Sequence, residues 1–232
     1  LKNLIKELKK LARDYELSEN FSWELPVNCP LDFPEGMSDQ YEKNIYLKHE
    51  LSSSLLGENA LQNRYWVIQD WGGIRSLKKN ERNDGLIQKL DAELERGTLT
   101  KPVFSIISSL SKVASFLDYK KYAIYDSRVI YSLNWLLFKH TEVTELFPQP
   151  SGRNADLSKY ELNTIFNLSD KSIVYRSHKV AYHEYCELLK ELSLEVYGKP
   201  EPYLVELLLF TVAPKYIVSD VAGSLTISVN RA

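Results

Sequence analysis

SSLSKVASFLDYKKYAIYDSRVIYSLNWLL, residues 108–137, is the stretch on which the reading of this chain turns. Small and apolar residues over Ser108–Leu117 recur at helical spacing around a single lysine, Lys112. An apolar Tyr122–Tyr125 run then leads to Asp126, which opens a second helical pattern over Ser127–Lys139. Aspartate is favoured at such a boundary because its side chain bonds the unpaired amides of the first turn. The same carboxylate, fourteen positions after Lys112, also suits chemistry. A lysine facing a semi-apolar interior loses part of its preference for the charged form, and a nearby carboxylate can take its proton; an amine nucleophile needs both. Capping and catalysis are compatible, because a cap also holds the carboxylate rigidly.

The rest of the chain reads as mainly α, by apolar period and by breakers. Lys2–Tyr15 is an amphipathic helix with Leu4, Ile5, Leu8 and Leu11 on one face. Ser18–Met37, with Pro26, Pro30 and Pro34, is an ordered loop pinned by Phe21, Trp23, Leu25, Leu31 and Phe33. Ser38 caps a long helix to about Leu55, and Leu61–Asp70 follows. After Gly72 and Gly73 the spacing predicts a basic helix from about Arg75, then a helix over Asp84–Glu95 ended by Gly97, with Pro102 starting the pair that holds Lys112. A loop over Glu145–Asn154 separates these from helices over Ser158–Phe166, Ser177–Tyr197 and Pro202–Thr211. The alternating, β-branched tail from Tyr216 is expected as a small hairpin around Ala222 and Gly223, or as a mobile end. The expectation is one mostly helical domain over 1–232, with possible layers 1–145 and 155–232 and a cleft between them.

Composition excludes several classes. No run of eighteen apolar residues occurs, so no membrane partner is expected. Cys29 and Cys186 are the only cysteines and the four histidines show no ligand spacing with them; no metal or other cofactor is expected, and two unspaced thiols suit a reducing cytoplasm. Walker, G-x-S-x-G and HExxH patterns are absent. The net charge of −2 gives no whole-chain signal for nucleic acid, so a DNA site must be local. The candidate is WGGIRSLKKNER, residues 71–82, where Arg75, Lys78 and Lys79 form a stripe, with Arg128 and Arg153 as further candidates. A solvated face is the plainer reading of such a run. Trp71 and Tyr125 belong to an aromatic neighbourhood that reads either as core and rim packing or as stacking partners for an extruded base.

SKVASFL followed by AIYDSRV resembles the catalytic segment of the helix-hairpin-helix DNA glycosylases, closest to their 8-oxoguanine glycosylase-like branch. In that family the lysine of a G-x-K-x-A segment attacks the deoxyribose and the aspartate of a P-x-D-x-x-V segment assists. The resemblance implies a helix-hairpin-helix glycosylase-like fold, with Lys112 as nucleophile and Asp126 as its carboxylate. Where the family has a glycine-rich hairpin whose amides face a phosphate, this chain has Ser108, Ser109, Leu110 and Ser111. Hydroxyls of Ser109 and Ser111 would donate to the phosphate instead. The function implied is a DNA N-glycosylase, with possible lyase activity, acting on a damaged or modified base in double-stranded DNA. Repair and attack on foreign, antiviral-type targets are both compatible with it. The alternatives are a non-catalytic helical DNA-binding module on the same scaffold, or a helical protein-interaction module.

Overall fold

The computed structural model describes residues 1–152 and 154–226, which fold as a mainly helical assembly. In chain order the elements are α1 (Lys2–Asp14), α2 (Leu17–Asn20), α3 (Gln40–Glu50), α4 (Ala60–Trp66), α5 (Glu81–Arg96), α6 (Lys101–Phe104), α7 (Ile107–Leu117), α8 (Ser127–His140), β1 (Glu145–Leu146), α9 (Ala155–Ser158), α10 (Leu162–Asn167), β2 (Val174–Tyr175), α11 (Ala181–Tyr197), α12 (Pro202–Val212) and α13 (Val218–Gly223). β1 and β2 pair in parallel over two residues. Two wide π-type turns extend helices, Val67–Trp71 after α4 and Ala213–Ile217 after α12.

The sequence dictates most of these elements locally. α1 buries Leu4, Leu8 and Leu11, one stripe at helical spacing, and leaves its lysines outside. Asn80 caps α5 by accepting from the Asn83 amide, and Gly97 ends it at φ 74°, a left-handed conformation that suits glycine. α12 is apolar nearly all round and is accordingly central, packed between α11 and α8. A single hydrophobic cluster runs from Leu4 to Val221, so the two expected layers share one core.

Several boundaries depart from expectation. The cap of α3 is Asp39, not Ser38, and the helix tightens into a 3₁₀ turn over Leu51–Leu55. The basic segment after Gly73 is not helical: α5 begins only at Glu81. Capture by the preceding turn explains the difference, since the Ile74 amide bonds Ile68 O, the Gln69 side chain bonds Leu77 O, and Leu77 is buried. The expected helix over 158–166 is broken in two, because the Glu161 carboxylate accepts the Asn163 and Thr164 amides and starts α10 afresh. The tail is helical through Gly223 rather than a hairpin, with Val221 buried against the core; tertiary burial overrides its β-branched composition. Its last residues, 227–232, lie outside the described residues.

Candidate active site

Lys112 lies in the middle of α7, and Asp126 closes the extended segment between α7 and α8. That segment belongs to no helix or sheet, so its backbone groups must find side-chain partners. Tyr182 donates its hydroxyl to Ala123 O at 3.0 Å and Tyr185 to Ile124 O at 2.6 Å. The Ile124 amide donates to Glu206 Oε2 and the Tyr125 amide to Ser111 Oγ, both at 2.9 Å. Asp126 is therefore delivered on an extended segment fastened from three helices. Its Oδ1 accepts the Arg128 amide at 2.9 Å as the N-cap of α8. Its Oδ2 faces Lys112 Nζ at 3.9 Å.

The amine is held from other sides as well. Lys112 Nζ donates to Ser108 O at 2.9 Å, one turn back along α7. Its aliphatic stem lies against Gly72, where a Cβ would come within 2.6 Å of Lys112 Cδ. Gly72 thus permits a close approach that no other residue would, at the end of the π-type turn after α4. Burial pushes the Lys112 amine below the ordinary lysine range; Asp126 and Glu206 oppose that shift and Arg128 adds to it. Burial likewise raises the Glu206 carboxyl, against the pull of Lys48, the Ile124 amide and Lys112.

Two concavities meet at Asp126. A cleft of about 950 Å³ runs between the α6–α7 hairpin and the Pro148–Ala155 loop, with Asp126, Ser127 and Arg128 in its floor. A pocket of about 110 Å³ opens on the other side, walled by Phe21, Trp23, Trp71 and Phe210, with Lys112, Asp126 and Glu206 facing into it. Asp126 and Arg128 border both. The aromatic walls are fixed by hydrogen bonds: Trp23 Nε1 donates to Trp71 O at 2.8 Å, and Trp71 Nε1 to Asn44 Oδ1 at 3.0 Å. Arg128 places its guanidinium 4.3 Å from the centre of the Phe210 ring. Chemically, this is an amine biased toward neutrality, a carboxylate beside it, and an aromatic slot next to a wide polar cleft.

The other expected residues divide. Arg75 and Ser109 line the cleft, as does Arg128, and Trp71 lines the aromatic pocket. Lys78 and Lys79 do not line the cleft; both are exposed, and Lys79 Nζ lies 5.4 Å over the Tyr65 ring. The stripe they were expected to form with Arg75 needed a helix that is not there. Ser111 is fully buried and its hydroxyl accepts the Tyr125 amide, so it is a structural contact and not a phosphate donor. Tyr125 is also fully buried, packed edge-on against Phe104 and Tyr185 with its hydroxyl on Pro148 O; no face of its ring is open to a base. Arg153 lies outside the described residues. The hairpin turn itself falls earlier than the serines, at Ser105 and Ile106 between α6 and α7.

Glu206, Gly72, Trp23 and Phe210 are site residues that sequence reasoning missed. Glu206 had a signal, as the one charged side chain in the apolar run Tyr203–Pro214 before Pro214 and Lys215. Gly72 had a weaker one in the Gly-Gly pair. Compared with known proteins, the chain matches no family model, no curated protein and no solved structure.

Proposed function

We propose that the protein is a DNA N-glycosylase, with associated lyase chemistry, of the helix-hairpin-helix type and nearest the 8-oxoguanine glycosylase-like branch. One observation carries the reading: Lys112 Nζ faces an aromatic pocket 3.9 Å from Asp126, which borders both that pocket and a wide cleft. The cleft takes the DNA backbone, with Arg75 and Arg128 for phosphates and the N-terminus of α7, which no side chain caps, offering amides and the positive end of its dipole. A modified or damaged base is extruded into the aromatic pocket. As the glycosidic bond breaks, positive charge grows on the sugar and the Asp126 carboxylate stabilises it. The neutral Lys112 amine then bonds the sugar carbon, the base departs with the glycosidic electron pair, and the proton freed from nitrogen passes to Asp126; the sugar ring opens next, its oxygen taking the C–O electron pair and that proton, which leaves the Schiff base that borohydride reduces.

Borohydride trapping against duplexes carrying oxidised, deaminated, alkylated and hypermodified bases tests this. The expected result is a covalent adduct with one class, lost in Lys112→Gln while gel-shift binding persists. Salt-sensitive binding with no adduct on any duplex would replace the enzyme with a non-catalytic DNA-binding module. No affinity at moderate salt would leave only a protein-interaction role. The hairpin without glycine gives the first of these alternatives its footing.

A further inference from the structure

Lys48, on α3, is buried with its ammonium group in the core and takes no part in the scheme above. A buried cation is costly unless paired and hydrogen-bonded. Its Nζ donates to Ser115 Oγ at 3.2 Å and stands 4.0 Å from Glu206 Oε2, with the Phe116 ring 4.8 Å away. Each partner leads to one of the reacting groups. Ser115 Oγ donates in turn to the backbone carbonyl of Lys112 at 2.9 Å, so Lys48 is docked on the helix that carries the amine. Glu206 holds the Ile124 amide, two positions before Asp126, so Lys48 is also docked on the support of the carboxylate.

The charges around Lys112 come from three other elements: Lys48 on α3, Asp126 and Arg128 at the start of α8, and Glu206 on α12. Glu206 faces the same pocket as Lys112. A buried carboxylate with no other counterion would hold Lys112 as its ammonium partner, which is the wrong form for attack. Lys48 supplies that counterion from behind. We propose that Lys48 is a positioning residue for the nucleophile: it neutralises Glu206 and braces α7 through Ser115, which keeps Lys112 available as a neutral amine. This rests on Lys112 being the nucleophile, and the test is chosen to separate the two ideas.

Reductive methylation of the intact protein with formaldehyde and cyanoborohydride, read by peptide mass spectrometry from pH 6 to 10, reports the amine fraction of Lys112 without any DNA. Lys48→Met is expected to move the Lys112 labelling midpoint to higher pH, with roughly tenfold slower labelling at pH 7. Glu206→Gln is expected to move it the other way, because Lys48 is then unopposed. The double variant, which removes both charges at nearly constant volume, returns it close to the parent. An unchanged midpoint in both single variants, or shifts of the same sign, would overturn the proposal. Should Lys48→Met fail to fold by circular dichroism, Glu206→Gln and the double variant decide alone, and absence of the downward shift in Glu206→Gln overturns it. A failed trapping panel with opposed labelling shifts sinks the glycosylase reading and leaves the charge relation standing; trapping with unmoved midpoints does the reverse.

Discussion

Gly72→Ala is the most discriminating single substitution at this site, because its consequences for stability and for chemistry differ. The backbone there, φ −81° and ψ −7°, is one that alanine adopts freely. At such a position the change would ordinarily stabilise by about 0.4–1 kcal/mol through the unfolded chain. The added methyl, however, would lie 2.6 Å from Lys112 Cδ, 2.8 Å from Cε and 2.9 Å from Ile68 O. Carbon pairs sit best at about 3.5–4.0 Å, so the lysine stem must retreat by roughly 1 Å. Overpacking of this kind costs about 1–3 kcal/mol, which leaves a net destabilisation of about 0–2.6 kcal/mol after the unfolded-state gain. Chemistry suffers more. A displacement of about 1 Å in a reacting group slows a reaction by roughly 10²-fold. The expected outcome is a folded protein with a slightly lower denaturation midpoint and about a hundredfold slower single-turnover trapping. Gly73→Ala is the control: φ 67° strains any side chain there, but its Cβ meets nothing within 4 Å, so stability falls while trapping of the folded fraction is spared. Trapping by Gly72→Ala within threefold of the parent would refute the placement of Lys112 against this glycine.

Other outcomes follow from the same geometry. Asp126→Asn keeps an N-cap acceptor for the Arg128 amide and removes the charge, so excision should fall by orders of magnitude with less than about 1 kcal/mol lost in denaturant unfolding; an Asn variant that keeps near-parental excision while the Ala variant loses it would show that the cap alone matters. Cys186 is buried, and burial raises its thiol to about 12, whereas Cys29 is half-exposed; a thiol reagent should label Cys29 in the native protein and Cys186 only on unfolding, as counted by mass spectrometry. Burial holds Lys48 and Lys112 below the ordinary value of 10.5, so the unfolded chain binds more protons there and their contribution to stability should rise as the pH climbs toward 10.5. Denaturant midpoints that fall steadily over that range would contradict it, and Lys48→Met should flatten the rise.

How much of this was legible in the sequence depends on the range over which each feature is decided. The helical class, the stripe of α1, the glycine stop of α5 and the cap at Asp126 are local: each is written in periodicity or in the side chain at a boundary. The Lys112 and Asp126 frame was legible for the same reason, since both residues belong to neighbouring elements. Local rules failed where distant partners intervened. The Arg75–Lys79 stretch has a helical spacing of charges, but the Leu77 carbonyl is taken by Gln69 in the turn after α4, the Lys78 carbonyl by the Asn80 and Asn83 side chains, and Leu77 is drawn into the core. Tyr125 and Ser111 look like surface chemistry in a row of letters, yet each satisfies the other's neighbourhood inside the core.

The sequence by itself determined that this chain is mostly helical and that a lysine and a capping carboxylate follow one another fourteen positions apart. Only the tertiary structure decided that they stand 3.9 Å apart in the wall of an aromatic pocket, with Asp126 also bordering a wide cleft. It alone set Glu206 on the extended segment 82 positions away and Lys48 on Ser115 across 67. The physical reason is that periodicity and caps record interactions within a turn or two of chain, whereas the pairing of buried charges is settled when separate helices close over a common core and each polar group must find a partner wherever the packing brings one.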